Sequence, residues 1–123
     1  KLLGCKKKYY VEKLRETWNL PGCKEIVIDS YPGLSEYLEI DCHSEESLFS
    51  AAKKLDIKID KNHKNVSVRE LYFKNYGIPL NRKIDGDLTF KNGKKILEKF
   101  ITKNKSKFNE ILNEQQKFYK IKE

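Results

Sequence analysis

The chain of 123 residues has the length of one domain and is long enough to bury one hydrophobic core. Hydrophobic residues make up 38% of the chain and charged residues 36%, while seven Tyr, six Phe and one Trp argue against a disordered segment. The net charge of +8 favours anionic partners: nucleic acid, nucleotides, polyphosphate or an acidic membrane surface.

Residues 5–20 predict a first strand of about ten residues. Period-two alternation places one set of side chains on one face, namely Tyr10, Leu14 and Trp18. The other face carries Val11, Lys13, Arg15 and Thr17. Pro21-Gly22 predicts a turn, so a second strand over Lys24–Asp29 is expected to run antiparallel to the first.

A third strand is predicted from Glu36 to Cys42, where acidic and apolar residues alternate without a break. Glu39 and Asp41 then stand side by side on one face and repel each other unless a positive charge or water lies between them. A divalent cation, a basic neighbouring strand or solvent each meets that need. Charged residues of three adjacent strands therefore form one polar face, which is exposed if the sheet is open and lines a cavity if it curves.

Helices dominate the rest of the chain. Ser44 is a good N-cap for a helix with an apolar stripe through Leu48 and Leu55, and Ser67 opens a second helix that ends at Gly77. A short strand is predicted at residues 57–59 in the polar loop between these helices, and Leu88-Thr89-Phe90 is short and apolar. The tail from Gly93 has helical periodicity, with a break near Asn104, and its lysines are expected to form a solvated helix face.

The cysteines are widely spaced and form no CxxC pair: Cys5, Cys23 and Cys42. His43 and His63 stand apart from each other, so a zinc site is not expected. The pattern predicts reduced thiols in a cytoplasmic, intracellular protein. The sequence contains no apolar run long enough to span a bilayer and no signal peptide, so no membrane partner is expected.

Several motifs together resemble the CYTH domain, also called the triphosphate tunnel metalloenzyme family. They are Lys13-Leu-Arg15, Ile26-Val-Ile28-Asp29, Tyr31-Pro32-Gly33-Leu34, and Glu39-Ile40-Asp41 followed by Ser44-Glu45-Glu46. The family includes class IV adenylate cyclases, thiamine triphosphatases and inorganic triphosphatases. The resemblance covers the C-terminal half of that fold, because the family's N-terminal Glu-x-Glu-x-Lys strand is absent from the sequence.

The resemblance implies an α+β fold in which an antiparallel meander forms part of a tunnel-like barrel, with packing helices outside. It implies that Lys13 and Arg15 bind substrate phosphates, that Glu39 and Asp41 bind Mg²⁺ or Mn²⁺, and that Asp29 is a further acidic ligand of the metal. These residue types suit the task, since Arg offers a planar fork to phosphate oxygens and Mg²⁺ takes one or two carboxylates beside them.

The implied organisation is a CYTH-like half over residues 1–90 and a helical extension over 91–123. The first residue is Lys1 rather than Met, so we expect a piece of a longer chain whose missing half comes from upstream sequence or from a homodimer partner. The implied function is metal-dependent hydrolysis of triphosphate-containing or other organic phosphates, preferred over adenylate cyclisation. The alternative is a non-catalytic domain that binds RNA or another polyanion, or serves in assembly.

Overall fold

The computed structural model describes residues 11–59, 67–81 and 87–122. Within them the order of elements is three strands and then helices: β1 (Leu14–Trp18), β2 (Cys23–Ser30), β3 (Tyr37–Cys42), α1 (Glu45–Lys54), α2 (Val68–Tyr76), α3 (Gly93–Leu97), a 3₁₀ turn (Glu98–Phe100) and α4 (Lys105–Lys122). The predicted α+β class is confirmed. The segment Cys5–Tyr10 of the predicted first strand lies outside the described residues, and the described strand is five residues long.

The chain divides into two compact units. The sheet unit contains residues 14–30 and 36–59 of the described chain, and the helical unit contains residues 11–13, 31–35, 67–81 and 87–122. The predicted domain boundary after residue 90 stays a prediction.

The sheet unit is built on an antiparallel meander in the order β1-β2-β3. Arg15 lies opposite Asp29 on β2, and Val27 lies opposite Glu39 on β3. Directly opposite residues share a face, so the register confirms the predicted alternation within the described bounds of the three strands. The three described strands form an open sheet. A short strand was predicted at residues 57–59, and this prediction is wrong, because that stretch has no regular structure.

Helix α1 begins where its cap predicts and packs against β2 and β3. The Ser44 hydroxyl accepts a hydrogen bond of 3.0 Å from the backbone N–H of Ser47, and Glu45 and Glu46 occupy the first turn. The helix dipole favours acids at that end. Its buried side chains are the small residues Ala51 and Ala52, which allow the helix to lie close to the strands.

A disulfide joins Cys23 at the start of β2 to Cys42 at the end of β3. The prediction of reduced thiols is therefore wrong for these two residues, and Cys5 lies outside the described ones. The alternation that places the third strand, combined with an antiparallel register, puts the two cysteines opposite each other. The two cysteines are 19 residues apart in the sequence, so their spacing alone does not predict a disulfide. They meet because strands β2 and β3 pair.

Replacing both cysteines by serine is expected to lower the free energy of unfolding by about 2–4 kcal/mol, because the bond closes a loop of this length in the unfolded chain. Urea unfolding of the double variant and of the parent checks this value. The parent measured in dithiothreitol should match the variant. An unchanged midpoint in both experiments would show that the bond does not hold the hairpin together.

The helical unit surrounds a single apolar core. Its buried members are Leu34, Tyr72, Tyr76, Ile78, Leu88, Leu97, Phe108 and Leu112. Val11 pairs with Leu88 in an isolated parallel bridge, and the Glu12 N–H donates to the Leu88 carbonyl over 2.8 Å. The short apolar segment predicted around Leu88 is thus a bridge buried in this core. The rings of Tyr76 and Phe108 meet edge to face with centroids 5.2 Å apart, an arrangement that aromatic pairs prefer.

The connection from β2 to β3 forms several hydrogen bonds with side chains of α2 and α4. Gln115 of α4 accepts a hydrogen bond from the Gly33 N–H over 2.8 Å and donates to the carbonyls of Tyr31 and Leu34 over 2.9 and 3.2 Å. The Tyr72 hydroxyl donates to the Pro32 carbonyl over 2.7 Å. These bonds provide partners for backbone groups of the connection, where the Tyr31 carbonyl also accepts from the Leu34 N–H over 3.0 Å.

Tyr76 adds a further bond to this connection by donating to the Gly33 carbonyl. Burial raises the pKa of Tyr76 to about 12, so its hydroxyl keeps the proton that it donates at neutral pH.

The end of α2 and the start of α4 follow the sequence prediction. Ser67 caps α2 by accepting from the Glu70 N–H over 3.3 Å, and Gly77 ends it in the left-handed conformation. The predicted break at Asn104 is confirmed, since α4 starts at the next residue and Asn104 has a φ of 55°. In the described chain no helix combines the length and the apolar character that crossing a bilayer requires.

Candidate functional site

The candidate site is the polar face of the sheet unit. Strand alternation and register place the following side chains on it: Arg15 and Thr17 of β1, Glu25, Val27 and Asp29 of β2, and Tyr37, Glu39 and Asp41 of β3. The opposite face carries residues such as Ile26, Ile28, Leu38 and Ile40. Four of the five predicted site residues thus share one face: Arg15, Asp29, Glu39 and Asp41.

Arg15 and Asp29 form a two-point ion pair. The Nε of Arg15 donates to Oδ1 of Asp29 over 2.8 Å, and Nη2 donates to Oδ2 over 2.9 Å. The Asp29 side chain is 1% exposed, whereas that of Arg15 is 40% exposed. The carboxylate is therefore buried beneath a guanidinium that reaches the surface. Both oxygens of Asp29 are engaged by Arg15, an arrangement that fixes the plane of the guanidinium.

The charge of Arg15 is stabilised by its surroundings. The hydrogen bond to Asp29 raises the pKa of the guanidinium, and the nearby carboxylates of Asp29, Glu39 and Glu25 act in the same direction. Asp29 uses two of the five N–H donors of the guanidinium, which leaves three donors that it does not use. Arg15 is thus a cation of fixed orientation on an otherwise acidic face.

Glu39 and Asp41 lie on β3, both exposed. The strands β1 and β3 flank β2, and Glu39 lies two residues along β3 from the position opposite Arg15, so their backbones are separated by about 12 Å. Glu25 lies opposite Asp41. Tyr37 lies opposite Asp29 and its hydroxyl donates to Oε1 of Glu39. Sequence reasoning did not select Tyr37, although its position two residues before Glu39 already placed it on this face.

The carboxylates do not form a metal cage made of protein alone. Asp29 uses one lone pair of each oxygen to accept a hydrogen bond from Arg15, and its predicted role as a metal ligand stays a prediction. The described part of the chain contains no cluster of three or more His, Cys, Asp or Glu arranged to hold an ion. Mg²⁺ often binds through one or two carboxylates with substrate phosphates as its other ligands, and the pair Glu39 and Asp41 suits that kind of binding.

Lys13, the second predicted phosphate ligand, belongs to the helical unit. Its ammonium lies 5.9 Å from the centre of the Tyr31 ring, within the range of a cation–π contact. The structure thus places Lys13 and Arg15 in different units, and the role of Lys13 stays a prediction.

Comparison of the chain with known protein families, curated proteins and solved structures finds no match.

Proposed function

We propose that the polar face of the sheet unit binds a triphosphate-containing or other organic phosphate, with Arg15 as its anchor, in a domain of the CYTH type. The observation that supports this most is the two-point ion pair that fixes Arg15 above a buried Asp29 on the face that also carries Glu39 and Asp41. A guanidinium of fixed orientation binds phosphate oxygens at a smaller entropic cost than a free side chain.

The acidic neighbours of Arg15 give the proposal its metal dependence. A phosphate brought to this face alone is repelled by Glu39 and Asp41, which lie two strands away from Arg15, the only cation among the face's described side chains. A phosphate that arrives with Mg²⁺ or Mn²⁺ presents positive charge to that pair. When bound, such an ion neutralises charge on the phosphoryl oxygens and so favours hydrolysis. Arg15 then orients the phosphate, and the two carboxylates of β3 hold the cation.

The tunnel belongs to the same proposal. Three described strands make an open sheet, whereas a closed barrel that holds a small ligand needs about eight. We propose that the remaining strands come from an N-terminal half or from a second copy of the chain. Closure would exclude water from the polar face and strengthen the attraction between Arg15 and an anionic ligand.

The redox state of the cysteines bears on the cellular compartment of the chain. The predicted cytoplasmic location assumed reduced thiols, and the Cys23–Cys42 disulfide removes that assumption, because structural disulfides persist mainly in oxidising compartments. Alkylating the chain in intact cells before lysis and mapping the labelled cysteines by peptide mass spectrometry tests the proposal. A chain that takes up label at Cys23 and Cys42 supports the intracellular proposal, and a chain in which both are blocked contradicts it.

Thermal melting with tripolyphosphate and Mn²⁺ tests the proposed function, because a specific ligand stabilises the folded state by mass action. At a ligand concentration one hundred times the dissociation constant, the gain is about 2.7 kcal/mol. We expect the parent to show this gain with both components together and Glu39→Gln to lose most of it. Glu16→Gln is the matched control, since Glu16 is an exposed residue of β1 on the opposite face.

The outcome that contradicts the proposal is a melting temperature that neither component changes, or one that both variants change equally. If tripolyphosphate raises the melting temperature without Mn²⁺, the result would support phosphate binding by Arg15 and contradict the proposed role of the metal.

A further inference from the structure

Among the described segments of the helical unit, one carries most of the net positive charge. Residues 91–107 contain seven lysines and one glutamate, a net charge of +6, compared with +8 for the whole chain. On either side, residues 67–81 have a net charge of +1 and residues 108–118 a net charge of −1. We define the lysine surface as the exposed side chains of this segment: Lys91, Lys94, Lys95, Lys99, Lys103, Lys105 and Lys107.

The single acid of the segment is already engaged. Lys105 of α4 approaches Oε1 of Glu98 to 3.1 Å, and this contact, assisted by the charge of Lys94, lowers the pKa of the Glu98 carboxyl. The ion pair also places the start of α4 beside the 3₁₀ turn. Glu98 neutralises one charge, so most of the lysine surface has no acidic neighbour within its own segment.

The charges at the start of α4 are unfavourable for an isolated helix. The first turn of α4 contains no acid and begins with Lys105 and Lys107, although the positive end of the helix dipole disfavours cations there. A solvated lysine face would carry interspersed acids, as the later part of α4 does with Glu110 and Glu114. Bound anions would relieve this repulsion.

The backbone under the lysine surface is held by α2. The N–H groups of Thr102 and Lys103 donate to the Tyr76 carbonyl over 2.9 and 3.4 Å, and the Asn104 side chain donates to the Asn75 carbonyl over 2.8 Å. Lys103 and Lys105, which lie at or beside these bonds, therefore project from a fixed backbone, which reduces the entropy lost when they bind a ligand.

We propose that the lysine surface binds the phosphodiester backbone of a nucleic acid. Seven exposed lysines within seventeen residues, with one acid among them, suit a continuous polyanion, and contacts with phosphates are independent of sequence. An anionic membrane fits less well, because membrane-binding surfaces also insert large apolar side chains. Those that are exposed in the described chain lie outside residues 91–107: Trp18, Phe49, Leu55, Phe73, Leu80 and Phe118.

Fluorescence anisotropy with a labelled 20-nucleotide RNA tests the proposal across a range of salt concentrations. The test variant removes four lysines of the surface and keeps the pair with Glu98: K94Q/K95Q/K99Q/K103Q. The control removes four exposed lysines of the sheet unit and the same net charge: K24Q/K53Q/K54Q/K58Q. Circular dichroism melting of both variants shows that each is folded at the temperature of the titration.

We expect the test variant to bind the RNA roughly tenfold or more weakly than the control at low salt, and its salt slope to fall by about 3, since each phosphate contact with a single strand contributes about 0.7. DNA of the same sequence should bind comparably. Equal losses in both variants would show attraction to net charge alone and overturn the proposal. Competition by poly-glutamate as effective as that by unlabelled RNA, or preferential binding of phosphatidylserine vesicles, would also overturn it.

This inference is independent of the polar face of the sheet. Glu39→Gln should bind the RNA as the parent does, so a failure of the phosphate site and a failure of the lysine surface give different results.

Discussion

Replacing Gly33 by alanine is expected to lower the free energy of unfolding by about 2–5 kcal/mol. Gly33 has a φ of 77°, a conformation that costs a residue with a Cβ about 1–2 kcal/mol. An added Cβ would also overlap the ring of Phe108, which is fully buried in the core of the helical unit, and overpacking of this kind costs about 1–3 kcal/mol.

Gly22→Ala is the matched control for this substitution. Gly22 also has a positive φ, 86°, but an added Cβ there meets only the Ser47 side chain, its hydroxyl oxygen at 3.2 Å and its Cβ at 3.4 Å. Its cost should be limited to the backbone term of about 1–2 kcal/mol. Denaturant unfolding of both variants measures the difference. Equal losses would show that the close approach of Gly33 to Phe108 does not hold in solution.

Gln115→Leu is expected to destabilise the chain by about 3–5 kcal/mol. Leucine keeps the volume of the side chain but leaves the Gly33 N–H and the Leu34 carbonyl without the partner that they have in the structure, while the Tyr31 carbonyl keeps its bond from the Leu34 N–H. Each buried backbone group left unsatisfied costs about 1–3 kcal/mol. The substitution therefore loosens the connection between the strands that carry Asp29 and Glu39.

Two further variants separate the hydrogen bonds from general effects on α4. Asn113→Leu places the same side chain at an exposed position of the helix and should change stability by less than about 0.5 kcal/mol. Gln115→Glu keeps the acceptor for the Gly33 N–H and lacks both N–H donors. Its decrease in unfolding free energy should therefore exceed that of Asn113→Leu. If urea unfolding gives Gln115→Leu and Asn113→Leu the same free energy of unfolding, the hydrogen bonds of Gln115 do not stabilise the connection between β2 and β3.

The local elements could be predicted because the signals that determine them are local. Alternation through Glu39 and Asp41 fixed the third strand and its faces, and Ser44 and Ser67 marked the helix starts through the side-chain caps that the structure contains. The glycine after α2 and the break at Asn104 followed from the same kind of signal.

The long-range pairings could not be predicted from these signals. Arg15 and Asp29 were assigned separately, one to phosphate and one to metal, because their direct opposition depends on a register that a turn at Pro21-Gly22 does not fix alone. The hydrogen bond between Gly33 and Gln115 spans 82 residues, and helical periodicity places Gln115 on the inner face of α4 without naming its partner. Such contacts are determined by tertiary packing.

The structure places four predicted site residues on one face and adds an ion pair that the sequence did not predict. Asp29 forms a two-point ion pair with Arg15, and Arg15, Asp29, Glu39 and Asp41 share the face that the strand pattern predicted. The lysines of the tail were expected to be an ordinary solvated face. Their concentration in residues 91–107 supports a second anionic partner for the chain.

The central claim is that Arg15 and Glu39 act on one ligand, and a double-mutant cycle on ligand affinity tests it most directly. Calorimetric titration with tripolyphosphate in Mg²⁺ should be carried out on the parent, Arg15→Lys, Glu39→Gln and the double variant. Lysine keeps a cation beside Asp29 but removes the fork of donors. If both residues hold the same magnesium–phosphate complex, each single variant loses affinity and the double variant loses measurably less than the two losses combined. Losses that simply add, or a parent that binds no tripolyphosphate in Mg²⁺, would contradict the claim.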